Sequence, residues 1–195
     1  MAVTAVVFDL GETLVDETRH WDEVADAACV ERERLHAALV ATIERGVDHR
    51  EMFAELGVAP LSGPEWEPRD LYPDAVHSLA RLREAGYIVG VAANQPPGAD
   101  DFLPRLFPFD LIGTSSLWGV EKPSPEFFER IAEGVLASPS DIAYIGDRVD
   151  NDVLPALEAG MVAVHIRRGP WGSRHAAPPG AIVIDSLDEL PGVFG

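Results

Sequence analysis

The chain holds a single cysteine, Cys29, among 195 residues. No internal disulfide can form, and a reducing, cytoplasmic setting is expected. Lysine is equally scarce: fourteen of the 15 basic residues are arginine and the remaining one is Lys122. Hydrophobic runs are short. None approaches the roughly 20 apolar residues that span a bilayer. The apolar start from Ala2 to Phe8 meets Asp9 and Glu12 at once, so neither a membrane helix nor a signal peptide is expected. Positive charge is in deficit, 15 basic against 33 acidic residues, for a formal charge of −18. Such a surface repels nucleic acid and anionic membranes. A small phosphorylated substrate would be repelled as well unless a cation screened it, so residues able to hold a metal are sought first. There is no internal repeat and no low-complexity tract, and nothing in the sequence speaks to oligomeric state.

What is present reads as a soluble globular chain, 47% apolar and 25% charged, long enough for one domain with a modest insertion. Short β-branched runs at Val3–Phe8, Tyr87–Ala92, Asp110–Gly113, Ile142–Ile145, Met161–Ile166 and Ala181–Ile184 show no polar alternation. That is the pattern of parallel strands buried on both faces. Helices are expected between them. One runs from Pro73 to Ala85 and closes on Gly86; another runs from Pro125 to Ala137 behind a Ser124 cap. A third runs from about Asn151 to Ala159, with Pro155 in its early part. Alternating strands and helices predict an α/β fold with a Rossmann-like, doubly wound parallel sheet.

Residues 17–69 break this rhythm and offer no strand. They read as an Ala-, Glu- and Arg-rich helix ending near Gly46, a shorter one ending at Gly57, and a proline-rich return. An insertion placed directly after the first strand lies over the carboxyl ends of the strands, where such sheets bind ligands. The expected division is therefore a core of residues 1–16 and 70–195 with a small helical cap of residues 17–69. An ordinary long crossover is the alternative.

Four strand ends carry polar groups. Val6-Val7-Phe8 delivers Asp9 ahead of Gly11, a carboxylate aimed at the crevice or simply a turn-capping aspartate. Val91-Ala92-Ala93 delivers Asn94, which taken alone reads as a turn residue. Lys122 stands just before a helix, held extended by Pro123, where it can balance carboxylates and a phosphoryl group or merely be solvated. Tyr144-Ile145-Gly146 delivers Asp147, with Asp150 and Asp152 in the turn beyond it. Clustered hard oxygens suit Mg²⁺, although aspartate is also favourable at any helix N-terminus.

Taken together, these stretches resemble the haloacid dehalogenase (HAD) superfamily over almost the whole chain. Phe-Asp-Leu-x-x-Thr-Leu-Val-Asp at 8–16 resembles its first motif and Leu71-Tyr72-Pro73 through Asn94 the stretch carrying its second. Glu-Lys-Pro-Ser-Pro at 121–125 resembles the third motif, and Gly-Asp-x-x-x-x-Asp from 146 with Glu-Ala-Gly-Met at 158–161 the fourth. Ile184 to Leu190 resembles its usual ending. The resemblance implies a Mg²⁺-dependent phosphohydrolase of small phosphorylated metabolites in which Asp9 becomes an aspartyl-phosphate. It implies Mg²⁺ held by Asp9, the main-chain carbonyl of Gly11 and Asp147. Asp152 would act through water or orient Asp147. Lys122 would neutralise charge on Asp9 and the transferring group, and Asn94 with nearby main-chain N–H groups would take phosphoryl oxygens.

Two positions depart from that pattern. The second aspartate of the first motif, the usual general acid and base, is Gly11, and the phosphate-binding Ser or Thr of the second motif is Ala93. A positioned acid–base group contributes roughly 10²–10⁴ in rate. Glu12, one residue late, and Asp16, Glu17 or His20 from the start of the cap are the side chains available to replace it. Alternatively, the leaving group needs little protonation, or the chain binds Mg²⁺, phosphate or a partner without efficient turnover. Dehalogenases also lack that aspartate, but they have lost the metal carboxylates that Asp147 and Asp152 keep here. Phosphonoacetaldehyde hydrolases need a cap lysine, and residues 17–69 contain none. A phosphorylated signalling receiver would be shorter and would have no insertion.

Overall fold

A computed structural model describes residues 3–61, 63 and 65–194. Ser62 and Pro64 of the proline-rich return, and Ala2 of the apolar start, lie outside the described residues. Six strands form one parallel sheet: β1 (Ala5–Phe8), β2 (Ile88–Ala93), β3 (Leu111–Thr114), β4 (Ile142–Gly146), β5 (Val162–Ile166) and β6 (Ile182–Ile184). Their spatial order is β3-β2-β1-β4-β5-β6. All six expected strands are present, because the runs are predominantly apolar and helices cover both faces of the sheet. Along β1, Val6 and Phe8 pack into one cluster with the helices α4 (Ala75–Glu84) and α5 (Ala99–Leu106), while Ala5 and Val7 pack into another with α7 (Pro125–Val135).

The order reverses at β1. It pairs with β2 on one side, Phe8 opposite Val91, and with β4 on the other, Phe8 opposite Ile145. This is the topological switch point, where the crevice at the strands' carboxyl ends receives a ligand.

The segment after β1 forms three helices, α1 (Thr18–Ala27), α2 (Arg32–Arg45) and α3 (Glu51–Leu56). The single long helix expected before Gly46 is two. Cys29 adopts a left-handed conformation (φ 54°) and the chain turns there. Gly46 (φ 66°) and Gly57 (φ 73°) close α2 and α3 as expected of left-handed C-terminal glycines. These helices share an apolar cluster that includes Trp21, Leu35, Leu39, Met52 and Phe53, and one residue of the core, Trp171, joins it.

The helix expected at 151–159 begins instead as a π-helical turn, Val149–Val153, continued by α8 (Leu154–Glu158). Wider turns of this kind are frequent at functional sites. Among the described residues, no helix is long and apolar enough to cross a membrane.

Candidate active site

Asp9 follows β1 directly, and its N–H donates to the Ile145 carbonyl (2.8 Å), so the β1–β4 ladder fixes its backbone one residue past the strand. Asp147 follows β4 in the same way. Lys122 is buried and its Nζ lies 2.7 Å from Asp9 Oδ1 and 2.5 Å from Asp152 Oδ1. Burial opposes its charge, but Asp152 and Asp9 outweigh that and hold its pKa well above the usual value. The lone lysine of the chain is thus the cation of this crevice. Asn94 braces it: its Oδ1 accepts from the Lys122 N–H (2.8 Å) and its Nδ2 donates to the Lys122 carbonyl (3.0 Å). The side chain expected to meet phosphoryl oxygens therefore spends its acceptor and one donor N–H on positioning Lys122.

Asp152 is fully buried, and its Oδ2 accepts from the Arg148 N–H (3.0 Å). Gly146 makes room for it, since a Cβ there would stand 2.4 Å from the Asp152 Cβ. Asp150 turns outward to pair with Arg148 (2.7 Å) and takes no part in the cluster. Asp9, Asp147 and Asp152 each offer an oxygen, all within 4.8 Å of one another. Burial pushes Asp152 up to about 6, with Lys122 opposing and Asp9 adding to the shift. Asp147 is driven well above the carboxylate range by burial, then by Asp152 and Asp9.

Asp147 Oδ2 is buried and has no hydrogen-bond partner. A buried carboxylate oxygen facing other carboxylates and no donor is costly, and a divalent cation relieves that cost. The donor set is all hard oxygen, which suits Mg²⁺ better than softer metals. The residues present fit the ion.

A second acidic group stands beside the first. The chain after Asp9 folds into a tight turn in which the Leu14 N–H donates to the Leu10 carbonyl (2.8 Å) and the Glu12 N–H to the Val15 carbonyl (2.8 Å). Glu12 takes a left-handed conformation (φ 52°), and its carboxylate accepts from the Tyr72 hydroxyl. It also presses on Gly169, where a Cβ would lie 2.5 Å from Glu12 Oε2. Burial raises its pKa to about 7.

The turn returns the chain so that Glu17 lies against Gly11. Its Oε2 accepts from Trp21 Nε1 (3.1 Å), and burial followed by the Glu12 charge raises it to about 8. Of the other candidates for the missing acid–base role, Asp16 accepts from the Thr18 N–H (2.8 Å), and His20 stacks on Trp66 (4.8 Å between ring centres).

Sequence reasoning missed His165, buried on β5, whose Nε2 donates to the Asp147 carbonyl (3.0 Å). A polar residue inside an otherwise apolar strand was its only signal.

A parallel sheet that carries two carboxylates at its switch point, bridged by a buried lysine, defines a class, and sequence comparison agrees with it. Residues 3–160 match the haloacid dehalogenase-like hydrolases, and the chain belongs to that family. Among curated relatives it is similar to a glyceraldehyde 3-phosphate phosphatase of Methanopyrus kandleri, with 28% identity covering 87% of this chain and 86% of the relative. It is also similar to a phosphoglycolate phosphatase of Xylella fastidiosa, with 30% identity covering 95% and 89%. A magnesium-bound putative HAD hydrolase of Bacillus subtilis shares the fold at a TM-score of 0.75 and 18% identity, over all of both chains. An L-2-haloacid dehalogenase of Xanthobacter autotrophicus shares it at 0.69 and 20%, over 98% of each.

Proposed function

We propose that this protein is a Mg²⁺-dependent phosphohydrolase of a small phosphorylated metabolite, with Asp9 as the phosphoryl acceptor. The observation that carries the reading is the buried Lys122 bridging Asp9 and Asp152 while Asp147 keeps an unpartnered oxygen. A dehalogenase displaces a halide and needs no acidic cluster. Full-length similarity to phosphatases of two small phosphate esters supports the same side.

Asp9, the Gly11 carbonyl and Asp147 would hold the ion, with Asp152 behind them. When bound, Mg²⁺ supplies positive charge to the phosphoryl oxygens and offsets the repulsion an acidic protein exerts on its substrate. Lys122 pairs with the Asp9 carboxylate and adds a second positive charge beside the transferring group. Asn94 fixes the Lys122 backbone, so the ammonium is already in place before substrate arrives. Asp9 then attacks phosphorus, the ester oxygen leaves, and water hydrolyses the aspartyl-phosphate. The helices of residues 17–69 form a cap over the site, and their small size favours small substrates.

Hydrolysis of an aryl phosphate tests this. Turnover should require Mg²⁺, vanish with EDTA and vanish in Asp9→Asn. Gly11 and Ala93 favour a second reading, a binding protein with weakened turnover. It predicts tight Mg²⁺ and phosphate binding with no aryl phosphate hydrolysis.

A further inference from the structure

Gly11 occupies the position at which the general acid–base group is missing, and its surroundings explain the glycine. Its φ is not in the left-handed region, so the backbone does not demand glycine there. What stands in the space a side chain would take is Glu17. A Cβ on residue 11 would stand 2.2 Å from Glu17 Oε1 and 3.0 Å from Glu17 Cδ. The Glu17 carboxyl therefore fills the volume that a short acidic side chain at residue 11 would fill itself.

Glu17 is also fixed there. Its other oxygen accepts from Trp21 Nε1 one helical turn away, and Trp21 is anchored in the apolar cluster of α1–α3. The rival side chains are committed elsewhere. Glu12 faces Tyr72 and Gly169, and Asp16 accepts from the Thr18 N–H.

We propose that Glu17, reaching in from the start of the cap, is the general acid and base of this enzyme and that Gly11 is the cleared space which admits it. This rests on the reading of Asp9 as nucleophile. In the first step an Asp9 oxygen bonds to phosphorus and the phosphorus–ester-oxygen bond breaks. The departing oxygen keeps that electron pair and takes the proton of the Glu17 carboxyl. In the second step the Glu17 carboxylate takes a proton from water as the water oxygen attacks phosphorus. The Asp9–phosphorus bond breaks, and inorganic phosphate, ionised Asp9 and protonated Glu17 result. The ester and one water are consumed, and one alcohol and one phosphate are released.

The test compares an alkyl phosphate with an aryl phosphate, with Mg²⁺, for the wild type, Asp9→Asn, Glu17→Gln, Glu17→Ala and the double variant Gly11→Asp with Glu17→Ala. Glutamine keeps the shape of Glu17 and an oxygen for the Trp21 hydrogen bond but cannot give up or take a proton. Glu17→Gln should lose about 10²–10⁴ in turnover of the alkyl ester. With the aryl ester it should release one equivalent of phenol per site rapidly and then stall, because the second step lacks its base. The double variant, which moves the carboxyl to residue 11, should recover alkyl turnover that Glu17→Ala alone lacks. Glu17→Gln turning over both esters as the wild type does, with Asp9→Asn inactive, overturns the assignment of Glu17 and leaves Asp9 standing. Full activity in Asp9→Asn overturns both.

Discussion

Two groups of carboxylates lie within a few residues of one another in this protein, and their partners differ. Asp9 and Asp152 meet a buried ammonium, while Asp147 keeps a buried oxygen with no hydrogen-bond partner. Glu12 and Glu17 meet neutral donors, the Tyr72 hydroxyl and the Trp21 indole. A cation nearby favours ionised carboxylates, whereas burial beside neutral donors favours the protonated form. The second set is raised to about 7 and about 8, by burial first, and so carries protons near neutral pH; in the first, burial raises Asp152 to about 6 against the pull of Lys122.

The sharpest way to break the comparison is at the nucleophile. Asp9→Asn should lower turnover on the order of 10⁴-fold or more, measured as phosphate release with any ester. Lys122→Ala comes next. It leaves two buried carboxylates without their cation, so the metal-free protein should lose about 3–5 kcal/mol in denaturant unfolding. Mg²⁺ should return part of that loss, whereas an unchanged midpoint would show that Lys122 is not the partner the cluster depends on.

Gly146→Ala is a finer probe. Its Cβ meets Asp152 Cβ and Cγ, both at 2.4 Å, and should displace that side chain at a cost of about 1–3 kcal/mol, with weakened Mg²⁺ binding by calorimetry.

A further effect is in pH. Glu12 and Glu17 have folded pKa values above their ordinary 4.5, so the folded state binds more protons than the unfolded one between about pH 4.5 and 8. Stability of the metal-free protein should therefore fall as pH rises through that window. The slope should shrink in the double variant Glu12→Gln with Glu17→Gln, as followed by thermal melting.

The metal side was legible in the sequence because short-range rules govern it. An apolar run of four to six residues buried on both faces ends in one polar residue, and parallel pairing brings those ends together. Asp9 and Asp147 follow from that, while Lys122, in the loop before the Pro125–Val135 helix, was legible from its Glu-Lys-Pro-Ser-Pro motif. The acid side was legible only as a gap at Gly11 and a shortlist. What puts Glu17 there is the turn of residues 10–15, whose left-handed Glu12 no propensity announces, and an indole one turn further on.

Similar limits hid the division of α1 from α2, set by a left-handed Cys29, and the π-helical turn that carries Asp152 inward. Helix α5 also escaped, because Pro104 lies inside it and two aspartates open it, a pattern that resembles a loop.

The central claim is that Asp9 accepts the phosphoryl group. Mass spectrometry of the Glu17→Gln protein, quenched in acid after mixing with Mg²⁺ and an aryl phosphate, tests it most directly. A phosphoryl adduct on the peptide carrying Asp9, absent with EDTA, is the predicted result. Phenol release with no adduct on that peptide, or an adduct at another residue, would contradict it.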